Sequence, residues 1–450
     1  MSKKLIIPIE IKNRELQGAC LLAKEFCTNG WEVYIGQKQQ LFPYIKTFKK
    51  SVWYLKSIVP GEISLLKKIK KSDNFICTLD VEGLVTDNYS KYVYTRYNKD
   101  TIKLADQIFF WNKFHYNLVK EISKKKDLNK FHITGSPIMD IWKLNTKKRK
   151  PKYILICTSF TLVNNLNGTN ILNLFFDNID KKHINSYKKY LKNYLAYYKI
   201  GFNSYLKILS EIFHKYKSKK FIIRPHPVED LEKWKNLAKK FNNVFIDNKT
   251  DLTEQINNSS KVIHFNSTAG VQSIIQGKET LMYFPNEKKR NDLSSPIFKK
   301  NNGIIYSKKN FISLKRKTNK FSNDFLNKKK DILFSSKKIF QIINSTFSDK
   351  KNNHDPFKNL FKSYYLLLNY KFKNFVYKNL LKTKKMFSLK NNYNLSFAKD
   401  KKYYSYKWTK TTKNEIKKKI ILFDEKNSLK GKLIVDQHPN GFFRIKKKTT

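Results

Sequence analysis

The sequence predicts an α/β protein of two doubly wound, parallel-sheeted domains facing a cleft, followed by a basic helical extension. Three observations lead there. Short apolar runs of strand length alternate with stretches of helical period, the pattern of βαβ units. Those runs break into polar loops rich in Pro, Gly, Asn and Ser at their carboxyl ends, where open parallel sheets place ligands. A basic, proline-bearing linker at Lys147–Lys152 separates two such series, giving expected domains of 1–147 and 148–345 and an extension over 346–450.

In the first series, Leu5–Glu10 reads as a strand and Glu15–Asn29 as a helix with Leu16, Ala19, Cys20, Ala23, Phe26 and Cys27 on its buried stripe. Gly30 closes that helix, and Trp31–Ile35 is a second strand. This βαβ start is Rossmann-like but carries no Gly-x-Gly-x-x-Gly. Arg14, in the first β–α turn, suits an acceptor phosphate; an exposed arginine at a helix start reads equally well. Asn74–Leu79 is a strand whose exit loop is Asp80-Val81-Glu82-Gly83. Two carboxylates beside a glycine at a strand end suit general-base work by Glu82 or Asp80. A metal-ligand role and a plain turn role stay open. Gln107–Trp111 and Phe131–Thr134 are further strands.

The second series opens with Tyr153–Cys157, followed by Thr158 at a cleft-facing end. Gly168–Tyr198 reads as an aromatic, Asn-rich insertion, helical near its end, and Phe202–Tyr216 as a helix. Lys220–Ile223 is a buried strand stopped by Pro225 and Pro227, which pin His226 just past its end. Leu231–Phe241 has helical spacing, Val244–Asp247 is a strand, and Leu252–Asn257 is a short helix. Val262–Phe265 is a strand leading into Asn266-Ser267-Thr268, cap-type side chains before a helix that Gly277 ends. Free N–H groups at that helix start attract an anion, so Ser267 and Thr268 form a candidate phosphate seat with His226 and Arg224 nearby. Thr280–Phe284 is the next strand, and Asn327–Ile343 a candidate helix returning to the first domain.

The formal net charge is +57 over 450 residues, with 92 Lys and Arg against 35 Asp and Glu. Abundant Lys, Asn, Ile, Phe and Tyr point to an AT-rich coding bias, and the surface they leave attracts polyanions. An anionic membrane surface is therefore a candidate partner. Nucleic acid is not favoured. Leu366–Leu381, basic and aromatic, suits a membrane interface or simple packing on the protein. Cys20, Cys27, Cys77 and Cys157 lack metal-ligand spacing and read as buried thiols, consistent with the cytoplasm. His115, His132, His183, His214, His354 and His438 show no mutual spacing, so no metal site is expected, and His264 reads as a core histidine. No apolar run approaches the roughly 18 residues that span a bilayer.

Arg224-Pro225-His226-Pro227, then Asn266-Ser267-Thr268-Ala269-Gly270 and Gly277-Lys278, resembles the nucleotide-sugar-binding domain of GT-B-type transferases of bacterial surface polymers. Capsule Kdo, polysialic acid and CDP-glycerol transferases are among them. The first half resembles the surface carbohydrate biosynthesis family of capsule and lipopolysaccharide pathways. The segments that match are Ile7-Pro8-Ile9-Glu10, Arg14-Glu15-Leu16-Gln17-Gly18, Asp80-Val81-Glu82-Gly83, Ala105-Asp106-Gln107-Ile108-Phe109 and Thr134-Gly135-Ser136-Pro137. The resemblance implies a GT-B-like glycosyltransferase, peripheral to the inner membrane face, acting on a nucleotide-sugar and a glycan or lipid-linked glycan acceptor, without a cofactor. It implies donor contacts from Arg224, His226, Asn266, Ser267, Thr268, Gln272 and Thr158, and catalysis by Glu82 or Asp80 with His226. Gln272 stands where the family often has Glu, a weaker acceptor for a ribose hydroxyl. A sugar-nucleotide 2-epimerase and a non-catalytic polyanion-binding protein are the alternatives.

Overall fold

The computed structural model describes residues 2–85, 89–144, 150–166, 184–283, 304–305, 308–314, 334–347, 368, 411–424 and 429–448. Strands β1 (Lys4–Ile9), β2 (Glu32–Gln37), β3 (Val52–Leu55), β4 (Phe75–Leu79), β5 (Gln107–Phe110) and β6 (Phe131–Ile133) form a parallel sheet in the order β2-β1-β3-β4-β5-β6. All six β1 residues are buried, as in a strand covered on both faces. Pro8, which has no N–H to give, lies beyond the last β1–β3 pair, Ile6–Trp53.

A second parallel sheet contains β7 (Tyr153–Cys157), β8 (Phe221–Arg224), β9 (Val244–Ile246), β10 (Ser259–His264), β11 (Glu279–Tyr283) and β12 (Ile304–Ile305). Its order is β12-β11-β10-β7-β8-β9. In each sheet the chain starts in the middle and winds both ways. The order therefore reverses between β1 and β3 and between β7 and β10, and crevices open at such points beyond the strands' carboxyl ends.

Two expectations are corrected. The helix expected at Phe202–Tyr216 begins at Ile184, inside the expected insertion, as one continuous helix, Ile184–Lys215; residues 168–183 lie outside the described residues. Gly201, which looks like a break, is where the helix meets the Phe265 ring: a Cβ there would sit 2.9 Å from it. The second correction concerns the extension. Within it, Lys413–Ile421 is a helix, but β13 (Leu433–Gln437) and β14 (Phe443–Lys447) form a hairpin that pairs antiparallel with β2 and lengthens the first sheet. Lys-rich composition hides the apolar alternation of Phe443 and Ile445. Gly36 makes room for the hairpin, since a Cβ there would stand 2.5 Å from the Phe442 Cβ.

The Lys12–Thr28 helix is the hub of the first domain. It buries its predicted stripe and packs against the helices Pro137–Leu144, Phe334–Thr346 and Lys413–Ile421. Lys12 ties it to Glu415 at 2.8 Å. The helix at Phe334–Thr346 thus returns to the first domain: Phe340 packs edge-on to Phe26, and Ser335 donates to buried Asp140. Apart from Leu368, the Leu366–Leu381 segment lies outside the described residues. No described helix is long and apolar enough to cross a membrane.

Candidate active site in the interdomain cleft

The loops after β1, β3 and β4 carry a dense set of charges. Glu10 pairs with Lys56 and lies 3.8 Å from Lys38, which bonds Glu62 at 2.9 Å. Glu15 accepts the backbone N–H groups of Glu10 and Ile11, fixing the turn that presents Arg14. Arg14 reaches Glu82 at 3.3 Å, and Arg96 reaches the other Glu82 oxygen, also at 3.3 Å.

The two carboxylates of the exit loop have different surroundings. Asp80 is buried and accepts from Arg96 through both oxygens, from the Tyr92 hydroxyl and from the Glu82 N–H. Both Asp80 oxygens are thus engaged beneath the loop. Glu82 has a side chain 44% exposed. Arg96 first, then Arg14 and Lys56, hold its carboxyl well below the usual carboxylate range. Behind the loop, the His115 ring lies 3.1 Å from the Tyr92 hydroxyl, and burial lowers its pKa to about 4, so it is neutral. Gly83 has no room for a side chain: a Cβ would meet His115 at 2.4 Å.

In the second domain the exits of β7, β8 and β10 lie side by side. His226 sits in a turn closed by Glu229 N–H donating to its carbonyl at 2.8 Å, and its Nδ1 accepts from Val228 at 3.4 Å. A neutral ring then carries its proton on Nε2. Ser267 caps the Thr268–Ile275 helix, accepting from Ala269 N–H at 3.2 Å, while Thr268 is exposed. Asn266, at φ 45°, makes the sharp turn into that helix. Gly270 lets the helix start close over buried His264, whose ring would lie 2.3 Å from a Cβ there.

Three expected donor contacts are occupied elsewhere. The Arg224 guanidinium bonds the Thr250 carbonyl and Gln255 Oε1, turning it toward the loop after β9. Buried Gln272 donates to Thr253 and Gln276 inside an amide network. Thr158 donates to Glu229. Sequence reasoning missed Glu229, a buried carboxylate that also accepts from Phe160 N–H and Trp234 Nε1. Burial pushes it up to about 7. Its place two residues beyond the Pro-His-Pro run was the available signal.

The halves meet. Thr268 lines the same pocket as Arg14, Lys56, Tyr54, Trp111 and Trp142 of the first domain, and Gln17 donates across the cleft to Asp251 at 3.3 Å. Two doubly wound sheets with their switch points turned to one cleft define a GT-B-like fold. No protein-family model matches the chain, and no curated protein matches it. Among solved structures it is similar to UDP-GlcNAc 2-epimerase from Methanocaldococcus jannaschii at 12% identity, TM-score 0.45, over 76% of this chain and 99% of that one. A putative UDP-N-acetylglucosamine 2-epimerase from Listeria monocytogenes gives 10%, TM-score 0.47, 79% and 99%. The wall teichoic acid polymerase TagF gives 10%, TM-score 0.47, 77% and 89%.

Proposed function

We propose that the protein is a glycosyltransferase-like enzyme that moves a sugar, or a polyol phosphate, from a nucleotide-activated donor to a surface-polysaccharide precursor. The observation that carries this reading is the shared pocket: Thr268 of the second domain's helix start and Arg14, which pairs with Glu82, line one cleft. The helix start offers backbone N–H groups and the Thr268 hydroxyl to the donor phosphates, and His226 Nε2–H stabilises the charge left on the departing oxygen. Glu82 receives the proton of the acceptor hydroxyl as that oxygen bonds the transferred group and the donor phosphate leaves with the electron pair. A carboxylate held this low is a weak base at rest. It takes the proton as the attacking hydroxyl grows acidic in the transition state. The chain's charge of +57 supports work at an anionic membrane surface, where lipid-linked acceptors reside.

The test is incubation with a panel of CMP-, CDP- and UDP-sugars with and without glycan acceptors. Acceptor-dependent release of the nucleotide supports the reading. Interconversion of the free nucleotide-sugar without acceptor replaces it with epimerisation. Glu82→Gln is expected to lower kcat by about 10²–10⁴ with donor affinity unchanged.

A further inference from the structure

A second pocket, of about 160 Å³, opens at the amino end of β4, the end of the sheet opposite the cleft. A single water needs only roughly 10–15 Å³. Lys50 lines it from the loop before β3, and Lys70, Asp73, Asn74 and Phe75 from the turn into β4. Thr346 and Phe347 close it from the end of the helix that returns to this domain. Lys70 gives its ammonium to both Asp106 oxygens, at 2.9 and 2.8 Å, and Thr346 gives its hydroxyl proton to the Ile342 carbonyl at 2.7 Å. One ammonium and one carboxylate remain. Among the described residues, neither the Lys50 nor the Asp73 side chain makes a hydrogen bond or ion pair, and the two do not pair with each other. Asn74 is 2% exposed; its Oδ1 accepts from the Ser51 N–H at 2.9 Å, while its Nδ2 has no acceptor. A buried amide nitrogen without an acceptor is costly, and a guest oxygen against this wall supplies one. Phe347 packs edge-on to Phe75 with centroids 5.6 Å apart, which makes part of the wall apolar.

We propose that this pocket binds a small zwitterion, a free α-amino acid. Its carboxylate takes the Lys50 ammonium and the Asn74 Nδ2–H, its ammonium takes Asp73, and its side chain lies against Phe75 and Phe347. A plain anion would face Asp73 uncompensated, and a plain cation would face Lys50. The loop carrying Asp80 and Glu82 leaves the other end of β4, and a five-residue strand spans roughly 17 Å. An amino acid bound here therefore does not compete with ligands of the cleft. It binds whatever reaction the cleft performs.

The test is calorimetric titration of the full chain with glycine, L-valine and L-leucine, and with two leucine derivatives. N-acetyl-L-leucine lacks the ammonium and L-leucinamide lacks the carboxylate. L-valine or L-leucine is expected to saturate a single site, with glycine weaker and each derivative at least about tenfold weaker than L-leucine. Lys50→Met and Asp73→Asn each remove one charge, and Asn suits the left-handed backbone of residue 73, at φ 56°. Either variant should weaken amino-acid binding at least about tenfold with an unchanged melting curve. If none of the three amino acids binds, or if both variants bind them like the wild type, the proposal is overturned. A derivative that binds as tightly as L-leucine overturns it too, since one charge alone then suffices.

Discussion

Arg96 grips Asp80 in a bidentate pair, Nε to Oδ2 at 2.6 Å and Nη2 to Oδ1 at 2.8 Å, beneath the loop that presents Glu82. Only 1% of the Asp80 side chain is exposed. Removing one partner of a buried pair strands the other charge. Arg96→Met should therefore cost about 3–5 kcal/mol in urea unfolding. It should also lower transfer in whatever fraction stays folded, because Glu82 loses one of its two arginine contacts. A change under about 0.5 kcal/mol would show the pair to be incidental.

Glu229 makes a pH prediction whose sign follows from its position. Its carboxyl rises on folding from the ordinary 4.5 to about 7. Between those values the folded state holds more protons than the unfolded one, so its contribution to stability is full below about pH 4.5 and is lost as pH rises toward 7. Glu229→Gln removes that titration. The wild type should lose more unfolding free energy than the variant between about pH 5 and about pH 8, measured by urea titration at each. Equal pH dependence in both proteins would place the Glu229 charge outside the folding equilibrium.

Ser267 and Thr268 are adjacent but should respond differently. Ser267 caps its helix, so Ser267→Ala is expected to lower stability by about 1 kcal/mol. Thr268 is exposed and faces the pocket, so Thr268→Val should leave the melt unchanged and weaken donor binding. A paired thermal melt and calorimetric titration separates them. Equal stability losses with no change in donor affinity would reduce both hydroxyls to capping.

Gly36 tests the docking of the C-terminal hairpin. In Gly36→Ala the new Cβ would lie 2.5 Å from the Phe442 Cβ and 3.1 Å from its Cα. Overpacking of this kind costs about 1–3 kcal/mol, and limited proteolysis should then cut near the hairpin first. Unaltered stability and cleavage would mean that the hairpin is not held against β2.

Strands with a continuous apolar core, such as Leu5–Ile9 of β1, β7 and Phe221–Ile223 of β8, were legible because burial on both faces favours apolar side chains at successive positions. The Ser267 cap and the Gly277 turn, at φ 73°, were legible from residue type. β3 was not proposed: Val52–Leu55 is four residues long and follows a Lys-rich loop. The hairpin was hidden because β14 is short, with Arg444 and Lys446 alternating with Phe443 and Ile445, and β13 carries Asp436 and Gln437. In the site, spacing located the loops after β4, β8 and β10 but not the direction of individual side chains. Arg224 and Thr158 sit at strand ends and Gln272 midway along its helix, and each bonds partners within the second domain. Such partners come from residues 26 to 71 positions away or from a neighbouring helix, a pairing that no local pattern encodes.

The central claim is that the strand-end loops of the second sheet seat a nucleotide-activated donor with His226 beside its phosphates. Calorimetric titration of CMP, CDP and UDP into the wild type and His226→Ala tests it most directly. The account predicts that at least one nucleotide binds the wild type, and that binding weakens at least about tenfold in a variant whose melting curve is unchanged. Absence of binding by all three, or equal affinity in the two proteins, would contradict it.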